Sequence, residues 1–144
     1  MRHRRAGTLL TAALASLALT GAASAATQPV RIDLHVDFEA GTETFTATGF
    51  CPEGTAETFG FHPAGVGRAA TTFHLFKTLT CADGSGTLTI RVEATAVFGF
   101  SGTIGGWNVV SGTGDYAGTT GGGKIVGTGF EGGIDDVYTG RLTG

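Results

Sequence analysis

Few residue types in this chain could do chemistry, and most of them alternate along extended stretches. Asp33, His35, Asp37 and Glu39 stand two apart. In a strand they share one face, close enough for carboxylates and an imidazole to co-ligate a cation. The same alternation describes a charged outer face that discourages edge-to-edge pairing, and outward charge is the default, so no metal is assigned. His62 and His74 fall on what read as neighbouring strands and could meet across them. Neither has an adjacent carboxylate or cysteine to orient its ring, which makes them polar surface or lumen residues. Ser85, Ser101 and Ser111 sit among glycines without the G-x-S-x-G elbow of a nucleophile. No carboxylate stands out as buried, so the catalytic residues are unknown at this level.

Residues 112–124, GTGDYAGTTGGGK, pose the sharpest question. Gly112 to Ala117 fits the dinucleotide fingerprint G-x-G-x-x-G/A, and Gly118 to Lys124 fits G-x-x-x-x-G-K. Both motifs work by delivering a phosphate to a helix N-terminus. The continuation AGTTGGGKIVGTG is among the poorest helix formers, and Ile125 stands where the second motif needs a hydroxyl. The alternative is a corner at which a sheet turns, with Gly112, Gly114 and Gly118 shaping the backbone and Tyr116 laying its ring on the core.

The elements that must position these residues are strands. Val30 to Glu39 alternates without a break, with Val30, Ile32, Leu34, Val36 and Phe38 on the inner face. Further strands are predicted over Glu43–Phe50, Thr55–His62, Ala69–Cys81, Thr87–Ala94 continuing to Phe98, Gly105–Ser111, Gly122–Phe130 and Asp136–Leu142. A turn is expected at Pro63–Arg68 and a hairpin at Asp83-Gly84-Ser85-Gly86. No helical period occurs after the first 25 residues. Eight strands without helices must bury their apolar faces on one another, as a sandwich or as a closed barrel.

The order W-x-V-x-x-G-T-G-x-Y-x-G-x-x-G, here Trp107, Val109, Gly112, Thr113, Gly114, Tyr116, Gly118 and Gly121, resembles the signature of the allene oxide cyclase and dirigent barrel superfamily. Together with Thr80-Cys81-Ala82-Asp83-Gly84-Ser85-Gly86 it is similar to small secreted bacterial members. The resemblance spans roughly residues 80–130. It implies an all-β fold, an eight-stranded antiparallel closed barrel of lipocalin-like shape. In that superfamily plant cyclases close a fatty-acid epoxide, and dirigent proteins steer phenoxy-radical coupling. None of their catalytic residues aligns here, and trimeric assembly does not transfer from a corner motif.

Ten phenylalanines follow the first 25 residues. Phe59 and Phe61 share one parity of the third strand, and with Phe73 and Phe98 they are the expected lining of a ligand site, unless they simply fill the lumen. The paired cysteines Cys51 and Cys81 are expected to form a disulfide. MRHRR, the apolar run AGTLLTAALASLALTG and Ala23-Ser24-Ala25 read as a secretory signal peptide cleaved near Ala25, too short in its apolar run for a membrane anchor. Residues 26–144 then form one domain. Six Lys and Arg against twelve Asp and Glu give this domain a formal charge of −6. Its basic residues stand singly, which excludes nucleic acid as a partner. No cofactor is indicated. Two functions remain open: a secreted, non-catalytic barrel binding a small hydrophobic ligand or surface partner, and a barrel enzyme or dirigent-like guide of the cyclase or isomerase class. An enzyme needs a titratable group inside the lumen, whereas a carrier needs only an apolar mouth.

Overall fold

The computed structural model describes residues 25–67, 69–97, 99 and 101–144. Apart from Ala25, the expected leader lies outside them, as does Phe98. The chain forms eight strands: β1 (Thr27–Asp37), β2 (Thr42–Thr48), β3 (Glu53–Val66), β4 (Ala70–Cys81), β5 (Gly86–Val97), β6 (Gly102–Gly114), β7 (Thr120–Phe130) and β8 (Gly133–Thr143). Each pairs antiparallel with its neighbour in sequence. Pairing of β8 with β1, from Thr27 opposite Thr143 to Asp37 opposite Gly133, closes the barrel.

Alternation supplies the core. Val30, Ile32, Leu34 and Val36 of β1 point inward, as do Leu88, Ile90, Val92 and Ala94 of β5, with Leu79, Trp107, Ile125, Tyr138 and Leu142 between them. Burying each large aliphatic side chain stabilises the barrel by about 1.5–3 kcal/mol.

The two ends differ. The β2–β3, β4–β5 and β6–β7 connections gather at one end. There the Cys51–Cys81 disulfide ties the β2–β3 connection to the end of β4, across a sequence separation of 30. A disulfide is the state of an oxidising environment. Phe50 bridges Phe45 and Tyr116 at ring-centroid distances of 5.7 and 4.5 Å, plugging this closed end. The opposite strand ends, at Asp37 and Thr42, Val66 and Ala70, Val97 and Gly102, and Phe130 and Gly133, form the rim of the other, open end.

Residues 112–124 build a corner. β6 ends at Gly114, whose φ of +60° only glycine adopts readily. Asp115 N–H donates to Ser85 O, Tyr116 N–H to Thr113 O, Ala117 N–H to Gly114 O and Thr119 N–H to Tyr116 O, at 2.9–3.1 Å. These amides are spoken for, and strand β7, not a helix, follows. Lys124 stands exposed on the outer face of β7.

β3 departs from the sequence expectation. It runs four residues past His62 to Val66 and absorbs the predicted turn at Pro63. Register shifts between Phe59 and His62 and between Pro63 and Gly65 accommodate this, since an irregularity is where a ladder tolerates proline.

Candidate functional site: the open end of the barrel

Beneath the rim lies a cavity of about 490 Å³. Its upper walls are apolar: Val36 and Phe38 from β1 and the turn after it, Phe61 from β3, Phe73 and Leu75 from β4, Ala94 from β5, and Ile134 from β8. The Phe61 and Phe73 rings stack at 5.2 Å. Gly60, at φ +61°, produces this arrangement. The irregularity there breaks the alternation of β3, so Phe61 lines the cavity while Phe59 turns to the outer face and stacks on Phe76 at 5.5 Å.

The cavity floor is polar. Lys77 of β4 is buried, with its ammonium 2.7 Å from Glu43 Oε2 of β2 and 2.6 Å from Thr58 Oγ1 of β3. Such a pair survives burial because each charge has a partner and the ammonium has a further hydrogen bond. Across the lumen, Tyr138 donates its hydroxyl to Asp136 Oδ2 at 3.4 Å, both on β8. Asp136 Oδ1 is buried without a hydrogen-bond partner. Thr103 of β6, Gly127 of β7 and Asp136 stand directly opposite one another in register. A Cβ on Gly127 would come within 2.5 Å of Asp136 Oδ1 and 2.8 Å of Ile134 Cδ1, so glycine at 127 keeps room for the carboxylate.

Burial pushes the Asp136 carboxyl above its ordinary range, opposed by the field of Lys77 and the Tyr138 hydrogen bond. Burial, reinforced by the Asp136 charge, holds Tyr138 well above the usual phenol value, so it is a neutral donor. The site thus brings together an ion pair, a carboxyl with a free oxygen, a phenol and the Thr58 and Thr103 hydroxyls, under an aromatic mouth. That combination can orient one polar group of a small molecule and exchange a proton with it.

Of the polar residues singled out in the sequence, Asp37 borders this cavity at its rim and the others lie elsewhere. Asp33 accepts from Arg31 Nε at 2.8 Å, and His35 Nδ1 meets Asp135 Oδ1 at 2.7 Å while its ring stacks on Phe130 at 5.0 Å. Asp37 Oδ1 accepts from the backbone N–H groups of Glu39 and Ala40. These residues are engaged one by one, and among the described residues no three His, Cys, Asp or Glu converge as metal ligands. His62 and His74 do meet, at 5.4 Å edge to face, and His74 Nε2 lies 3.1 Å from Glu93 Oε2. Glu93 comes from β5, directly opposite His74, a carboxylate that sequence adjacency does not reveal.

A second depression, of about 720 Å³, lies over the outer face where β2 pairs with β3 only from Thr44 opposite Thr55 to Thr46 opposite Glu53. Asp33, His35 and Asp135 on its walls are already paired with one another or with Arg31. Asp136 borders this depression too, but its buried carboxyl lies on the inner side of β8 with Tyr138, so the lumen cavity is the better candidate.

Glu43, Thr58, Lys77, Thr103, Asp136 and Tyr138 were not singled out by sequence reasoning. One signal was available: Lys77 shares the inward parity of Phe73, Leu75 and Leu79, and a lysine on an apolar parity calls for a buried partner. No protein-family model, curated protein or solved structure matches the chain.

Proposed function

We propose that this chain is an exported barrel of the allene oxide cyclase and dirigent-like type that binds a small, largely apolar molecule at its open end. The single observation that carries this reading is the lumen cavity, apolar at the mouth and polar at the floor, in a barrel closed at its other end by a disulfide and an aromatic plug. The leader pattern of residues 1–25 supports export, and the disulfide is in keeping with it. The corner built by Gly112, Gly114, Tyr116 and Gly118 supports the superfamily reading. The test is fluorescence titration with a neutral apolar probe, 2-(1-naphthyl)ethanol. One-to-one binding that Leu75→Trp removes supports the reading, and no saturable binding by folded protein refutes it.

A second reading is favoured by one specific observation, the titratable groups inside the lumen. A carrier needs none, whereas an isomerase or cyclase needs a proton donor or acceptor beside the reacting atom. Asp136, raised by burial and free at Oδ1, is placed for that role. Under this reading Asp136→Asn retains binding and loses turnover.

A further inference from the structure

The charges around the cavity do not balance. Among the described residues its ionisable acids and bases, apart from Tyr138, are Asp37, Glu43 and Asp136 against Lys77 alone. Lys77 is committed to Glu43 and Thr58 at 2.7 and 2.6 Å. Asp37 is solvated at the rim and held by backbone amides. What remains is Asp136, only 6% exposed, with a neutral phenol on one oxygen and no partner on the other. An unpartnered buried carboxylate oxygen is costly, and a charge-assisted hydrogen bond is the strongest way to satisfy it.

We infer that the open-end cavity selects small hydrophobic amines, the protonated nitrogen donating to Asp136 Oδ1 and the apolar body lying among Phe61, Phe73, Leu75 and Ala94. This rests on the ligand-binding reading above and adds the class of ligand. An ammonium neutralises the one buried carboxylate that has no cationic partner among the described residues, and the Phe61 and Phe73 rings at the mouth attract a passing cation by their π-faces. A carboxylate ligand would meet two acidic side chains at the floor, Glu43 and Asp136, with the ammonium of Lys77 already engaged. A metal ion lacks a converging ligand set among the described residues.

The pH behaviour follows from the groups that act on Asp136: Lys77 from β4, Glu43 from β2 and Tyr138 from β8 inside the lumen, and the charge of Asp135 from the outer face of β8. An alkylamine stays protonated below about pH 9. Binding must therefore strengthen as pH rises through the titration of Asp136, which lies above the ordinary carboxylate range.

The experiment is calorimetric titration of the intact protein with three probes of one shape, 2-(1-naphthyl)ethylamine, 2-(1-naphthyl)ethanol and 3-(1-naphthyl)propionic acid. At neutral pH the amine is expected to bind about tenfold or more tightly than the alcohol, with the acid weakest, as a charge-assisted bond implies. Asp136→Asn should bring amine and alcohol together, and so should acidification of the wild type, which decides the matter if the variant does not fold. An acid that binds as tightly as the amine overturns the inference, as does an amine advantage that survives Asp136→Asn. Binding of the alcohol without preference for the amine defeats the amine assignment alone, whereas failure of all three probes defeats the ligand-binding reading with it.

Discussion

Glu43 on β2 and Lys77 on β4 occupy strands that are not neighbours, yet their charged ends meet at 2.7 Å across the intervening β3, where Thr58 takes a second proton of the ammonium. Three consecutive strands are thereby tied from inside the barrel, at the level where the apolar closed end gives way to the cavity. Lys77 closes the floor of that cavity, and breaking its pair leaves a buried charge alone.

Lys77→Met is accordingly expected to cost about 3–5 kcal/mol, because Glu43 then loses its partner in a largely buried position. The double change Lys77→Met with Glu43→Leu should recover most of that loss. Urea unfolding of the four proteins of the cycle measures the coupling, and additive single effects would show that the pair is not a unit.

Asp136→Asn should raise stability at neutral pH by roughly 1 kcal/mol, since an amide keeps the Tyr138 hydrogen bond without the burial cost of a charge. The folded-state pKa of Asp136 is raised, so the carboxyl favours folding most below its unfolded pKa. That contribution is lost as pH climbs from the unfolded to the raised folded value. The advantage of the variant should thus vanish in acid. Thermal melts at pH 3 and pH 7 check this, and a variant less stable at pH 7 than the wild type would contradict it.

The corner at residues 112–118 should act on stability alone. Gly114→Val combines a left-handed φ with collision against the Ser85 backbone, and is expected to cost at least about 1–3 kcal/mol. Tyr116 is half-buried against Phe50, so Tyr116→Ala should cost about 2 kcal/mol. Lys124→Ala, on the exposed face of β7, should stay within about 0.5 kcal/mol. A rise in melting temperature with ATP or NAD that Lys124→Ala abolishes would restore the phosphate-loop reading.

Much of this fold was legible because a barrel strand writes its alternation into the chain. Val30 to Val36 and Leu88 to Ala94 declare their inner face outright, and the glycines around Tyr116, with no helix former after them, declare a corner. Parity counting fails where a bulge inserts a residue: Phe59 and Phe61 are two apart in sequence, yet Gly60 sends them to opposite faces. The floor of the cavity was illegible for a different reason. Glu43, Lys77 and Asp136 become a site only once register brings β2, β4 and β8 around one lumen, and no local spacing encodes that meeting. His74 and Glu93 illustrate the same limit on the outer face.

Loss of the disulfide should weaken the closed end without altering the cavity. With 30 residues separating Cys51 and Cys81, the reduced protein is expected to be about 3–4 kcal/mol less stable on the chain-entropy model. Chemical denaturation with and without reductant measures this, and an unchanged midpoint would count against a stabilising role.

Where a ligand sits is most directly read from methyl resonances during titration with 2-(1-naphthyl)ethanol. Shifts are expected at Val36, Leu75, Ala94 and Ile134, which line the open end, and not at Leu88 or Leu142 in the closed half. Shifts confined to Ile104, Val126 and Val137 on the outer face, or no saturable shifts at all, would contradict a ligand site inside this barrel.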